Sequence, residues 1–244
     1  MRKFGLIGFS LTHSFSKKYF EEKFQRESMS GCRYDLFELK SIQELPLLIK
    51  SNPGLIGLNV TIPYKETVMS CLSEVSEEAK EVGAVNCIKV ENGTLKGYNT
   101  DVFGFETSLK NFVGQATNRK RVFVLGTGGS SKAIQYVFKK LNISFHLVSR
   151  GKKRDNISYA EISDLMKEEN LFINTTPVGM FPAASEAPAI PYEKISENDF
   201  LFDLIYNPTE TAFLERGKLQ GAKTKNGLEM LQLQADKSWK IWNS

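Results

Sequence analysis

Apolar positions along the chain come in short runs of four to seven residues, separated by segments that repeat with helical spacing. In the first part the runs Lys3–Phe9, Arg33–Glu38 and Leu55–Val60 predict strands, and residues 16–26 and 42–50 between them predict helices. The second of these helices ends at Asn52-Pro53-Gly54, a strong breaker. Residues 84–91 and 94–98 flank Asn92-Gly93, the dipeptide best suited to a two-residue hairpin turn. A helical pattern then runs from Thr100 to about Phe112 and gives way to a polar link over 114–120.

A second series follows. Strands are expected at 121–125, 145–149, 171–174, 200–203 and 222–224, with helices at 130–141, 210–220 and 228–242, and a strand and a helix somewhere within 150–171. The stretch from Pro177 to Pro191 is rich in Pro, Gly, Ala and Ser and reads as a long loop. Such alternation predicts an α/β protein with two α/β units, and it favours parallel sheets joined by right-handed crossovers.

Composition narrows the function classes. The 244 residues are 41% hydrophobic and 25% charged, with 32 basic and 28 acidic side chains and a net charge of +4. That is an ordinary globular balance, without the basic excess of a nucleic-acid coat or a membrane-surface protein. No apolar run approaches the ~20 residues of a membrane span. The basic-then-apolar start reads as a first strand and not a signal peptide, so a cytoplasmic protein is expected. Cys32, Cys71 and Cys87 are too far apart for a disulfide framework, and with only His13 and His146 they offer no zinc spacing. No metal is expected.

Chemistry enters at residue 122. Val122-Phe-Val-Leu-Gly126-Thr127-Gly128-Gly129-Ser130-Ser131 has the strand, glycine turn and helix of a pyrophosphate cradle, with Ser131 where the third glycine is usual. Glycine turns before helices are also common in purely structural roles. About twenty residues on, where an NAD-binding chain carries a carboxylate for the ribose, this one has Ser149-Arg150-Gly-Lys-Lys-Arg154. The plain alternatives are a solvated basic loop or a nucleic-acid patch, but cations at the end of the second strand, with no flanking aromatics, favour the 2′-phosphate of NADP.

Three segments of the first half place polar residues at strand ends and helix starts. Ser14 and Ser16 precede or open a helix, where hydroxyls and unpaired N–H groups can take a carboxylate or simply cap. Asn59, Thr61 and Lys65 follow the third strand, with Pro63 expected in the first turn of a helix. Lys65 could equally be a surface lysine. Asn99, Thr100 and Asp101 lead into the connecting helix, where capping is again the plain alternative.

In this order the segments resemble the shikimate dehydrogenase family over nearly the whole chain. The resemblance rests on His13-Ser-Phe-Ser16, Asn59-Val-Thr-Ile-Pro-Tyr-Lys65, Gly83-Ala-Val-Asn86, Gly97-Tyr-Asn-Thr-Asp101 and Gly126-Thr-Gly-Gly129. It continues through Asn174-Thr-Thr-Pro-Val-Gly-Met180, Asp203-Leu-Ile-Tyr206-Asn-Pro and Asn226-Gly-Leu-Glu-Met-Leu-Gln-Leu-Gln234. It implies a discontinuous substrate domain (1–100 plus 226–244), a Rossmann-like NADP domain (101–225) and a cleft between them. By the same resemblance Ser14 and Ser16 would hold a substrate carboxylate. Asn59, Thr61, Asn86, Asp101, Tyr206 and Gln234 would surround the ring, and Lys65 with Asp101 would be the catalytic pair. Gly126, Thr127, Gly128, Gly129 and Ser130 would hold the pyrophosphate of NADP, Ser149, Arg150 and Arg154 its adenosine phosphate, and Leu204 and Gly227 its nicotinamide.

The implied reaction is the reversible reduction of 3-dehydroshikimate to shikimate, in a monomer or homodimer whose only partners are small molecules. As a residue outside the core, Lys65 is expected to be removable without loss of global stability. Two alternatives are a quinate/shikimate dehydrogenase with relaxed cofactor use and a non-catalytic NADP-binding regulator; the second predicts loss of Lys65 or Asp101, and both are present. The sequence departs from the family pattern at Ser149, at Gly151, at Cys87 after Asn86, and at Glu229, where a glycine is common.

Overall fold

A computed structural model describes residues 1–11, 14–114, 120–151 and 155–244. The chain divides into two compact units, Met1–Phe103 with Gln234–Ser244, and Gly104–Leu233.

The first unit contains strands β1 (Arg2–Gly8), β2 (Cys32–Glu38), β3 (Leu55–Val60), β4 (Glu74–Val75), β5 (Cys87–Glu91) and β6 (Thr94–Tyr98), in sheet order β2-β1-β3-β5-β6-β4. Helices α1 (Phe15–Arg26), α2 (Leu45–Ser51) and α3 (Glu77–Val82) connect them. Strands β1, β2 and β3 are parallel, as alternation with helices requires, but β5 runs antiparallel to both β3 and β6. The sheet is therefore mixed rather than parallel, and the hairpin is the cause. Asn92 (φ 50°) and Gly93 (φ 79°) both adopt the left-handed region, as a two-residue turn between right-twisted strands demands.

Alternation along β1 decides how this unit is filled. Ile7 joins one cluster with Leu45, Leu58, Val68 and Ile88. Phe4 and Leu6 point into another with Phe20, Tyr34 and Trp242. In that second cluster Phe20 stacks on Tyr34 at 4.5 Å and Trp242 on Phe4 at 5.1 Å. The Trp242 indole N–H donates to the Ile88 carbonyl at 3.0 Å, so the end of the chain is tied into the sheet.

The helix expected at Pro63 does not form there. Residues 61–66 make turns around a cis Ile62–Pro63 bond, and a 3-10 segment starts only at Thr67. The Lys65 carbonyl instead accepts from Val85 N–H at 2.7 Å, a tertiary bond in place of a helical one.

The second unit is an all-parallel sheet of β7 (Arg121–Leu125), β8 (Phe145–Val148), β9 (Asn170–Asn174), β10 (Phe200–Asp203) and β11 (Lys223–Lys225), in order β11-β10-β9-β7-β8. Its helices are α5 (Gly129–Lys140), α6 (Ile162–Leu165) and α7 (Ala212–Leu219). Helices α4 (Asp101–Val113) and α8 (Leu228–Trp242) each contribute residues to both units. The strand order is that of a doubly wound sheet, and its winding reverses between β7 and β9. Both faces are covered, which is why β7, β9 and β10 read as unbroken apolar runs. Among the described residues between β8 and β9 there is a 3-10 turn (Tyr159–Glu161) running into the short α6, and no strand; Ile157 makes only an isolated bridge to Val148. Residues 177–191 contain no helix or strand.

Candidate active site

In the first unit the turn after β3, the amino end of the antiparallel β5 and the start of α4 bring Lys65, Asn86 and Asp101 together. Lys65 Nζ donates to Asp101 Oδ2 at 2.6 Å, and Asn86 Nδ2 donates to Asp101 Oδ1 at 2.9 Å. The Lys65 and Asp101 side chains are only 14% and 8% exposed. Such a pair is well past the surface regime in which ion pairs count for little. Lys65 is thus not a surface lysine.

The pair is the tip of a buried polar chain. Asn86 Oδ1 accepts from Thr100 N at 2.6 Å and Thr100 Oγ1 at 3.1 Å. Gln234 Oε1 accepts from Asn86 Nδ2 and from Thr100 Oγ1, each at 3.3 Å. Behind them Asn59 Nδ2 donates to Ser238 Oγ at 2.9 Å and to the Asn86 carbonyl at 3.3 Å, while Tyr34 OH donates to Asn59 Oδ1 at 2.9 Å. Ser238 Oγ in turn donates to the Gln234 carbonyl at 2.9 Å. The side-chain N–H groups of Asn59 and Asn86 each have two acceptors, which fixes the rotamers behind the pair. Burial pushes the Tyr34 phenol well above its ordinary range, keeping it a neutral donor.

Thr100, Ser238 and Tyr34 are absent from the residues nominated on the sequence. Tyr34 and Ser238 lie in amphipathic segments where one polar atom on an apolar face leaves no periodic signal. Thr100 lies in one of the three polar segments singled out above, but without an assigned contact.

Ser14 occupies the N-cap position of α1 without its side chain capping the helix, so the plain capping reading does not apply to it. Ser14 and Ser16 are both half-buried, as is Thr61, whose N–H donates to the Ile7 carbonyl at 3.0 Å. Tyr206 belongs to the second unit. Cys87 is fully buried, and burial lifts its thiol to about 12, which makes it packing rather than chemistry. Glu229 forms an ion pair with Lys225 and accepts from Ser108 Oγ at 2.6 Å and Asn111 Nδ2 at 2.9 Å. Its role here is to join α8 to α4.

In the second unit the glycine turn follows β7 at the reversal of the sheet. Gly126 has φ +106°, and a Cβ there would meet Thr175 Oγ1 at 2.7 Å, so only glycine fits. A Cβ at Gly128 would meet nothing within 4 Å, and Gly128 stands at the N-cap of α5. The glycine turn thus leaves space at the start of a helix, where the positive end of the helix dipole suits an anion. Ser131 explains itself: its hydroxyl donates to the Gly126 carbonyl at 2.6 Å and fastens the turn. Thr127 is exposed, and Gly129 and Ser130 are half-buried.

At the end of β8, Ser149 Oγ donates to the Gly151 carbonyl at 2.5 Å and accepts from Asn156 Nδ2 at 3.3 Å, leaving the Arg150 side chain exposed. Arg154 lies outside the described residues. Leu204 and Gly227 meet closely: a Cβ on Gly227 would stand 2.1 Å from the Leu204 carbonyl oxygen, and Gly227 N–H donates to Ile205 O at 3.0 Å. Open space at a helix start, a glycine-only turn and an exposed guanidinium fit a phosphorylated dinucleotide. Among the described residues no cluster of His, Cys, Asp and Glu could hold a metal ion, and no helix is long and apolar enough to cross a membrane.

Known proteins resemble this chain in sequence and fold. The family model described as the shikimate dehydrogenase substrate binding domain matches residues 6–88. The shikimate dehydrogenase (NADP(+)) of Clostridium beijerinckii is 41% identical over 255 residues, covering 99% of this chain and 92% of that protein. Among solved structures, shikimate dehydrogenase 1 from Peptoclostridium difficile superposes with a TM-score of 0.86 at 39% identity, over 100% of this chain and 92% of the other. The shikimate 5-dehydrogenase from Thermus thermophilus, in complex with NADP(H) and shikimate, gives 0.85 at 28% identity over 99% and 93%. With full-length identity of this order joined to a shared two-sheet α/β fold, the chain belongs to the shikimate dehydrogenase family.

Proposed function

We propose that this protein is an NADP-dependent shikimate dehydrogenase that reversibly reduces 3-dehydroshikimate to shikimate, a step in the biosynthesis of chorismate and the aromatic amino acids. The observation that carries the reading is the Lys65–Asp101 pair, held at 2.6 Å and braced by Asn86 and the buried network behind it. A regulator that only bound the cofactor would have no use for such a pair.

In this reading the first unit takes the substrate. Ser14 and Ser16 hold its carboxylate, and Thr61, Asn86, Asp101 and Gln234, with Tyr206 of the second unit, surround its ring and hydroxyls, while Asn59 braces Asn86 from behind. The second unit takes the cofactor. Gly126 to Ser130 face the pyrophosphate, Ser149, Arg150 and Arg154 the adenosine phosphate, and Leu204 and Gly227 the nicotinamide. Bound there, NADPH supplies the hydride. Lys65 provides the other half of the chemistry: its ammonium stabilises negative charge developing on the carbonyl oxygen and donates the proton that oxygen needs. Asp101 accepts from Lys65 through Oδ2, which orients the ammonium, and its position lets it bond a substrate hydroxyl as well. Arg150 favours NADP over NAD, because a guanidinium pairs with a 2′-phosphate and gains nothing from a bare ribose.

The test is an absorbance assay of cofactor reduction with shikimate, quinate or buffer, each with NADP⁺ and with NAD⁺. Shikimate with NADP⁺ is expected to give the highest kcat/KM. Equal rates with quinate or NAD⁺ would favour the broader quinate/shikimate activity, and no rate with any pair would overturn the reading.

A further inference from the structure

Asp203 is a fully buried carboxylate at the end of β10, and the chemistry described above makes no use of it. Its partners are all neutral donors. Oδ1 accepts from Ile205 N–H at 3.0 Å and from Asn174 Nδ2 at 3.0 Å, and Oδ2 accepts from Thr211 Oγ1 at 2.6 Å. A buried carboxylate without a cation is costly unless something requires it. Burial lifts it to about 6, against the pull of the hydrogen bonds from Thr211, Ile205 and Asn174.

What it holds is a sequence of backbone positions. Ile205 N–H is fixed directly, and Leu204 N–H beside it donates to the Asn174 carbonyl at 3.0 Å. Asn174 is itself anchored, donating to Val178 O and accepting from Thr176 N and Oγ1. Thr211 serves as the N-cap of α7, so the far end of the 204–210 loop is held by the same carboxylate. The fixed Leu204-Ile205 backbone then abuts Gly227, leaving no room even for a methyl group. Any shift of residues 204–205 must move Gly227 and the start of α8 with it.

We propose that Asp203 is a positioning residue for the nicotinamide end of the cofactor, acting through the Leu204-Ile205 backbone and its contact with Gly227. This rests on the functional reading above, which assigns Leu204 and Gly227 to the nicotinamide. Asp203 touches neither cofactor nor substrate in this scheme. Thr211 and Asn174 share its task, since each fixes one side of the carboxylate.

The test compares wild type with Asp203→Ala and Asp203→Asn. NADPH binding is measured by its fluorescence without substrate, the KM for shikimate is measured at saturating NADP⁺, and hydrogen exchange is followed at the Ile205 amide. Asp203→Ala leaves the Ile205 and Thr211 donors buried and unpartnered, so NADPH Kd should rise tenfold or more and Ile205 exchange should accelerate. The KM for shikimate should stay within twofold. Asp203→Asn keeps an oxygen for Ile205 but no acceptor for the Thr211 hydroxyl, and should fall between, at roughly three- to tenfold in Kd.

A folded Asp203→Ala protein that binds NADPH within twofold of wild type overturns the proposal. So does one in which NADPH Kd and shikimate KM rise in parallel, the mark of a merely structural residue. If Asp203→Ala does not fold, Asp203→Asn decides: unchanged Kd and unchanged Ile205 exchange refute the assignment. Wild type that binds NADPH but does not oxidise shikimate would instead overturn the functional reading, leaving the Kd comparison to stand alone.

Discussion

Replacing Lys65 with Ala separates catalysis from stability, because the two consequences have different remedies. If Lys65 stabilises the developing alkoxide and gives the proton, kcat should fall about 10²–10⁴-fold, or ~2.7–5.5 kcal/mol. The expectation that stability would be spared does not survive the structure. Lys65 and Asp101 are 14% and 8% exposed, so removing the ammonium strands a carboxylate. Losing one partner of a buried pair costs about 3–5 kcal/mol, and the lower end applies because Asn86 still donates to Asp101 Oδ1 at 2.9 Å. At roughly 2–4 °C per kcal/mol for a chain of this size, Tm should drop by about 6–12 °C. Adding Asp101→Asn removes the stranded charge. The double variant should recover most of the lost Tm while kcat stays at least 10²-fold down. Calorimetry and initial rates at saturating shikimate and NADP⁺ read the two effects. A Lys65→Ala protein with kcat within twofold of wild type would refute the role assigned to Lys65, and unchanged Tm would refute the buried-pair argument.

Three further outcomes are expected. Arg150→Ala should raise the KM for NADP⁺ roughly tenfold or more, the worth of a charge-assisted hydrogen bond, and leave NAD⁺ kinetics unchanged; equal effects on both cofactors would contradict its role. Glu229 is partly buried, which raises its pKa, but hydrogen bonds from Lys225, Ser108 and Asn111 outweigh this and hold it below the usual carboxylate range. A lowered native pKa means stability present above the unfolded value and lost as pH falls through the native one, so Glu229→Gln should lower Tm at pH 7 and converge with wild type in acid. Ser238→Ala leaves an Asn59 N–H without its acceptor, a loss of about 1–3 kcal/mol; melting curves that superpose on wild type would show the buried network contributes nothing to stability.

Much of this was legible in the residues. The hairpin at Asn92-Gly93 follows from local turn chemistry, and β7, β9 and β10 of the second unit from short apolar runs set between segments of helical or loop character. The segment from Glu74 to Val82 was not read, although Ser76 accepts from Ala79 N–H and Gly83 closes α3 in the left-handed region. A six-residue helix is simply too short to show periodicity. The Lys65 turn was misread because its carbonyl is claimed by Val85, a contact made across twenty residues. Asp203 stood inside a quoted motif, but nothing local says that an aspartate after an apolar strand is buried without a cation.

The central claim is that this chain moves a hydride between shikimate and NADP⁺, and isotope transfer tests it most directly. With shikimate carrying deuterium at the carbon that bears the reacting hydroxyl, the enzyme should convert NADP⁺ to reduced cofactor one mass unit heavier than NADPH, in equal amount with 3-dehydroshikimate. Reduced cofactor without the added deuterium, or no shikimate-dependent reduction at all, would contradict the account.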